Sequence, residues 1–325
     1  MDKQRVIVKV PASTANLGPG FDSLGMALSL YAWIELGYAE QTSFELHGEG
    51  MNGLAQDKTN LVYKVAQLVF KEAGVSIPEL SIRMYSEIPL TRGLGSSATA
   101  IVGALAAANA LIGSPLSQDK LFQMATALEG HPDNVGASLF GGIVVSAWDG
   151  KAAQHVRLEP PKQLETLVAI PNFHLATEKA RHALPAQLNM SDAVFNIGRS
   201  SLLVAALASG QLQLIQHAMQ DRLHQPYRAA LIPGMTEILE AAVSKGALGA
   251  ALSGAGPTLI AFVDKDSANK DELEQFLKAT LAQEGIEADT LWLAPSSSGP
   301  EVISVQAAEG NAGSFLDLIK GEVRI

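Results

Sequence analysis

The sequence predicts a mixed fold of helices and strands, α+β or α/β, in two domains. Its 325 residues suffice for two units of about 150 each. With 47% hydrophobic and 17% charged residues, the chain can build a large aliphatic core. Segments alternating with period two and segments with helical spacing interleave in both halves of the chain.

In order, Val6, Val8 and Val10 alternate with Arg5, Ile7 and Lys9 and predict a first strand; residues 28–36 predict a second. Asn60 caps a helix whose inner face carries Leu61, Val65, Leu68 and Val69. Leu80, Ile82 and Met84 mark a strand that runs into a glycine loop, and a long helix follows over 97–111. Ser117 caps the next helix, with Leu121, Met124, Ala125 and Leu128 on one face, and Gly141-Gly142 leads into a strand over 143–148. Turn residues at 149–151 and Glu159-Pro-Pro-Lys162 mark a connection, which sets the domains at 1–160 and 161–325. The second half reads as a strand at 167–170, helices at 175–184, 191–208, 211–220 and 234–245, a glycine turn at 253–256 and a strand at 258–263. A helix at 266–284 and strands at 287–293 and 301–306 complete it. Residues 48–53 match Gly-x-Gly-x-x-Gly, but no helix opens at the third glycine, so they predict a solvent-facing loop rather than a dinucleotide site.

A formal net charge of −10 argues against a general nucleic-acid or anionic-membrane surface, although local arginines and backbone amides can still take an anionic substrate. The absence of cysteine excludes disulfides, thiolate metal sites and cysteine nucleophiles. The charged N-terminus is unlike a signal peptide, and no apolar run reaches the ~18 residues of a membrane helix. The expected compartment is the cytoplasm.

Four segments carry the chemistry. Residues 89–98 read Pro-Leu-Thr-Arg-Gly-Leu-Gly-Ser-Ser-Ala. Gly93 and Gly95 allow a tight turn and close backbone approach, and Ser96 or Ser97 is a suitable N-cap for the helix behind. Free N–H groups and a positive dipole end then converge on one spot that suits a polyphosphate. It is not a Walker A loop, because Gly95 stands where that motif needs lysine. In Pro11–Asp22, Asn16 and Asp22 flank glycines and could hold an ammonium or hydroxyl group. Glu129-Gly-His131-Pro-Asp133-Asn134 offers a carboxylate for Mg²⁺ and polar groups for a substrate. The Gly-rich stretch 246–258 is either a corner of a packed sheet or a second backbone wall against the ligand.

Taken in order, the motifs Pro-x-Ser-x-Ala-Asn-Leu-Gly-x-Gly-Phe-Asp, Pro-x-x-x-Gly-Leu-Gly-Ser-Ser-Ala and Gly-x-x-x-Ser-Gly-Ala-Gly-Pro-Thr resemble those of the GHMP kinase superfamily, from about Val6 to Val263. Two further segments, Thr177-Glu-Lys-Ala-Arg181 and Gln225-Pro-Tyr-Arg228, resemble the branch that phosphorylates homoserine. The resemblance implies an α+β, two-domain fold: a ribosomal-protein-like β-α-β N-terminal domain that binds ATP, and a ferredoxin-like C-terminal domain. It implies a kinase that uses ATP and Mg²⁺ to convert L-homoserine to O-phospho-L-homoserine on the way to threonine, in a family that often forms homodimers.

By the same resemblance, Pro89, Leu90, Thr91, Arg92, Gly93, Leu94, Gly95, Ser96, Ser97 and Ala98 wrap the phosphates, and Asn60 lies on the adenine side with Leu61 and Val62. Ser97 and Glu129 hold the metal. Asn16, Asp22 and His131 orient the substrate's amino end, Arg181 and Arg228 hold its carboxylate, and Thr177 adds a hydroxyl. Asn134, which positions the reacting hydroxyl, and Arg181 are the expected catalytic residues. Mevalonate-type members carry an aspartate base near the position of Asn134, and an amide cannot act as one. The expectation is therefore direct attack without a protein base, with Asp22 as a substrate ligand. Glu129 precedes His131 by only two positions, a shorter loop than in some members of the branch.

Overall fold

The computed structural model describes residues 4–48, 51, 53–305 and 315–319. The first half contributes β1 (Arg5–Ala15), β2 (Leu24–Tyr38), β3 (Ser43–His47), α1 (Leu61–Glu72), β4 (Leu80–Ser86), α2 (Ser96–Leu111), α3 (Gln118–Glu129), α4 (Asp133–Phe140), β5 (Ile143–Trp148) and β6 (Ala153–Leu158). The second contributes β7 (Leu164–Pro171), α5 (Thr177–His182), α6 (Met190–Ser209), α7 (Ile215–Ala218), α8 (Gln225–Arg228), α9 (Met235–Ala241), β8 (Gly249–Leu252), β9 (Leu259–Asp264), α10 (Lys270–Gln283), β10 (Ala288–Leu293), β11 (Glu301–Val305) and α11 (Phe315–Ile319).

The first sheet runs β11-β1-β2-β4-β3, with β5 and β6 added beside β2. The long β2 forks: its C-terminal part pairs with β4 from Ala32 to Tyr38, and its start pairs with β5 from Leu24 to Met26. β3 and β4 are parallel with α1 between them, a β-α-β unit. Asn60 caps α1 through its side-chain oxygen, and Ser117 caps α3 in the same way, as their sequence positions predict. Val6, Val8, Val10, Ile34 and Leu36 pack under α1 and α2. A side chain at Gly103 of α2 would meet Ile34 and Val10, so the small residues of this helix let it lie close on the sheet.

The second sheet is antiparallel in the order β10-β7-β9-β8. Numbered within the domain that is 4-1-3-2, the expected ferredoxin-like arrangement. Alternation along β7 splits two cores. Leu167 and Ala169 face α9 and α10, whereas Val168 and Ile170 join α6 residues Leu203 and Leu207 and the first-sheet residues Leu24, Met26 and Leu28. One core is thus shared by the two sheets.

The structure departs from the sequence reading in three places. Residues 301–305, expected to finish the unit 161–325, return to the first sheet and pair with β1 from Arg5↔Val305 to Lys9↔Glu301. The helices expected at 211–220 and 234–245 break into short α and 3₁₀ pieces. In the 48–53 loop, Glu49, Gly50 and Asn52 lie outside the described residues, but Met51 is buried and lines an apolar cavity rather than facing solvent.

Candidate active site

Loops from both sheets meet at one cleft. Its walls come from the turn after β1, the loop between β4 and α2, the α3–α4 turn, the segment after β7, α8, and the turn after β8. Among the described residues, five non-glycine residues have positive φ, and four of them, Asn16, Leu17, Asp22 and Thr91, belong to these loops. Such backbone strain gathers where the surroundings over-determine the chain.

The glycine loop opens α2, though not through a serine cap. Gly95, at φ +70°, is the N-cap, and Ser96 and Ser97 form the first turn. A Cβ at Gly95 would stand 2.1 Å from Ser13 Oγ, so only glycine fits there. Relieved of capping, Ser97 Oγ donates to Glu129 Oε2 at 3.0 Å. Gly93 packs on the 253–256 turn: Ser253 Oγ donates to the Gly93 carbonyl at 2.6 Å and lies 2.9 Å from the Thr14 hydroxyl. Gly254, Ala255 and Gly256 of the 246–258 stretch line the cleft beside the glycine loop.

The loop's other residues divide by role. Thr91, Gly93, Gly95, Ser96 and Ser97 line the cleft. Leu90 lines an adjoining apolar cavity of about 310 Å³ together with Met51, Asn60, Leu61 and Val62, and Thr91, Ser96 and Ser97 border both spaces. The side chains of Leu94 and Ala98 are instead in the cores, and Pro89 lines neither space. Arg92 turns away from the cleft and donates to the Pro171 carbonyl and to Asn172 Oδ1, while Thr91 bonds His174. These contacts tie the loop to the segment after β7.

On the opposite wall, Asp133 opens α4 and gathers His131 Nδ1 at 2.6 Å and the Asn134 N–H at 2.7 Å. Burial works against a charged His131, but Asp133, Glu129 and Asp22 outweigh it and raise its pKa. With Nδ1 held by Asp133, Nε2 is the ring atom left for the cleft, an acceptor in the neutral ring and a donor in the imidazolium. Asn134 Oδ1 accepts from Ser13 Oγ at 3.0 Å, which in turn accepts from Ser138. That leaves the Asn134 amide NH₂ for the cleft. Glu129, at the C-terminus of α3, has its pKa raised by burial, against the opposing pull of His131, Ser97 and Arg181.

Asn16 and Asp22 are more committed to the frame than the sequence suggests. Asn16 donates to the Gly254 carbonyl and accepts from the Asp22 N–H. Asp22 takes Arg181 in a two-pronged pair at 2.7 and 3.0 Å. Arg228, only 2% exposed, donates through Nε to the Ala180 carbonyl and through Nη1 to the Gly254 carbonyl, and it makes no ion pair among the described residues. Desolvation and the nearby Arg181 push its pKa down to about 10. Phe21 lies against both guanidinium groups, 5.5 Å from Arg181 and 5.3 Å from Arg228. Thr177 opens α5 at the rim.

Sequence reasoning passed over Leu175, gave Phe21 and Ser13 no role, and read Asp133 only as one polar group of its cluster and a fallback metal position. The last three lie inside motifs already singled out, which was the available signal.

Ser97 and Glu129 offer hard oxygen ligands at the glycine loop, and Glu129 is a half-buried carboxylate whose hydrogen bond among the described residues is to the Ser97 hydroxyl; the pair suits Mg²⁺. Asp22, His131 and Asp133 also bring ligand atoms within 4.8 Å of one another, but Asp22 is engaged by Arg181 and Asp133 by His131.

A glycine loop opening a helix, an apolar cavity beside it and a cleft between two sheets form the frame of a small-molecule kinase, and the chain belongs to the GHMP kinase family. Residues 60–142 match the GHMP kinases N terminal domain and residues 203–282 the GHMP kinases C terminal domain. Within that family it belongs with the homoserine kinases. It is 45% identical to the homoserine kinase of Moorella thermoacetica over 91% of this chain and 99% of that one, and 44% identical to that of Carboxydothermus hydrogenoformans over 90% and 95%. The crystal structure of homoserine kinase from Cytophaga hutchinsonii superposes with a TM-score of 0.83 at 29% identity, covering 93% of this chain and 98% of that one.

Proposed function

We propose that the protein transfers the γ-phosphoryl group of ATP to the side-chain hydroxyl of L-homoserine, forming O-phospho-L-homoserine, a step toward threonine. The observation that carries the reading is Arg228: a buried guanidinium without a carboxylate hydrogen-bonded to it among the described residues, lining a cleft beside the glycine loop. Such a group calls for an anion from outside the chain, and the substrate's carboxylate supplies it. Arg181 and Phe21 complete that end of the cleft. Asp22, still open on its outer side, takes the ammonium group. The adenine lies in the apolar cavity beside Asn60, and the triphosphate runs along Thr91 to Ser97, where the first N–H groups of α2 receive it.

Phosphoryl transfer depends mainly on alignment and on neutralising charge. The Asn134 amide donates to the acceptor hydroxyl oxygen and aims it at the phosphate; an amide in that place takes no proton. His131, whose carboxylate neighbours favour its protonated form, lines the same side of the cleft. Mg²⁺, held by Ser97 and Glu129, would neutralise phosphate charge.

The test is homoserine-dependent release of ADP by the purified protein, with mevalonate, a sugar and 3-aminopropan-1-ol (homoserine without its carboxylate) run in parallel. Arg228→Lys keeps the charge but loses the planar fork, and is expected to lower kcat/KM for homoserine about thirtyfold while sparing 3-aminopropan-1-ol. Phosphorylation of mevalonate or the sugar but not homoserine would overturn the assignment. Asp22→Asn should raise KM for homoserine and leave the single-turnover rate at saturation within about threefold, because little deprotonation of the acceptor is needed in a loose transition state. A collapse of that rate with substrate still bound would make Asp22 the base.

A further inference from the structure

Arg228 has five N–H donors. Nε is taken by the Ala180 carbonyl, and Nη1 by the Gly254 carbonyl at 3.0 Å and by His224 Nδ1 at 3.3 Å. Nη2 is left to meet the ligand. Of the three protein acceptors only one is a side chain, and it belongs to a residue that no motif singled out. His224 is fully buried, the N-cap residue of α8, four positions before Arg228. Its Nε2 lies 2.7 Å from the Gly18 carbonyl, which can only accept, so Nε2 carries the proton and Nδ1 is the lone-pair end. The groups facing the ring are the Gly18 carbonyl, Arg228, Phe21 with its ring centroid 5.2 Å away, and Asp221, whose carboxylate stands 3.7 Å from Nε2. Asp221 is itself spent on the N–H groups of Leu223, His224 and Gln225 and on Asn196, which fixes the segment that opens α8. Burial keeps His224 neutral by lowering its pKa, the state in which Nδ1 can accept.

We propose that His224 is a positioning residue for the acceptor substrate: it joins the Gly18 carbonyl of the first loop to Arg228 Nη1, and so fixes the guanidinium with Nη2 aimed at the substrate carboxylate. The proposal rests on the reading of Arg228 as the carboxylate receptor. Homoserine is thereby read by both sheets at once, through a single imidazole that never touches it.

Two variants separate the two ends of the ring. His224→Gln can place an N–H near the position of Nε2 but has no acceptor at the Nδ1 position. His224→Asn can place an oxygen near Nδ1. With the full-length protein, His224→Gln is expected to raise KM for homoserine about tenfold, the scale of one hydrogen bond to a charged group. Its kcat, its KM for ATP and its kcat/KM for 3-aminopropan-1-ol should stay near the parent values. His224→Asn should hold KM for homoserine within about threefold. A loss shared equally by both acceptors, a loss confined to kcat or to ATP, or a tenfold rise in His224→Asn would each overturn the proposal; the last applies even if the Gln variant fails to fold. Parent protein inactive on homoserine would sink the functional reading, whereas an active parent with an unchanged Gln variant would sink this inference alone.

Discussion

Glu129→Gln is expected to give a protein that unfolds at higher temperature yet turns over about a hundredfold more slowly, the scale on which loss of one preorganised charge contact is felt in a transition state. The two effects share a cause. Burial raises the Glu129 carboxyl above its ordinary value, with His131 and Ser97 pulling against it. An acid whose pKa is raised by folding binds its proton more tightly in the native state. It therefore costs nothing at pH values below the unfolded pKa. The cost accumulates as pH rises from that value through the folded one, and it is present in full above both. The carboxylate also stands at the end of a helix, where the dipole disfavours an anion; the proposed metal role at the phosphates is what would keep it there. Thermal unfolding at neutral pH and near pH 4 checks the first effect: the variant should gain only at neutral pH. Turnover at saturating ATP, homoserine and Mg²⁺ checks the second. An unchanged rate would move the metal ligand elsewhere.

Gly93→Ala should be damaging in both respects. A Cβ there would lie 2.5 Å from the Ser253 carbonyl oxygen and 3.0 Å from that of Gly256, both backbone atoms, at φ +85°. Strain and clash together should cost about 3 kcal/mol, lowering Tm by roughly 6–12 °C on the scale expected of domains this size. The clash is relieved only by parting the phosphate loop from the 253–256 turn. A displacement of about 1 Å there should slow turnover about a hundredfold. Gly113→Ala is the control: its φ is +86°, but nothing lies within 4 Å of the added carbon. It should lose about 1 kcal/mol and no activity. Equal losses in the two variants would show that backbone conformation alone, and not contact between the two walls, matters at Gly93.

The sequence was most informative where structure is local. The caps at Asn60 and Ser117, the alternation in β1 and β4 and the helical spacing of α1 to α3 depend on neighbours within a turn or two. The strand Ser43–His47 was missed although Phe44 and Leu46, which pack on the first core, alternate with Ser43, Glu45 and His47: two apolar positions in five residues are too short an alternation to stand out. β8 and α8, four residues each, are too short for any period to register. The candidate site was legible as a set of residues but not as a set of bonds. Asp22 and Arg181 stand 159 positions apart, and composition gives no hint that they bind each other rather than opposite ends of a ligand. Arg92 sits amid a phosphate-loop motif yet serves as a tether to the far sheet, a choice made by where Pro171 happens to lie. His224 escaped because its partner is a backbone carbonyl more than 200 residues away, and carbonyls leave no mark in a sequence.

The pairing of β11 with β1 has a consequence for how the molecule is made. Arg5 emerges from the ribosome 300 residues before its partner Val305. At roughly 5–20 residues per second, β1 waits some 15–60 s with one hydrogen-bonding edge bare. An unpaired edge of this kind is a template for a neighbouring nascent chain. Lys9, set on β1 opposite Glu301, is a charged position on that edge during the interval, the kind of residue that discourages edge-to-edge pairing.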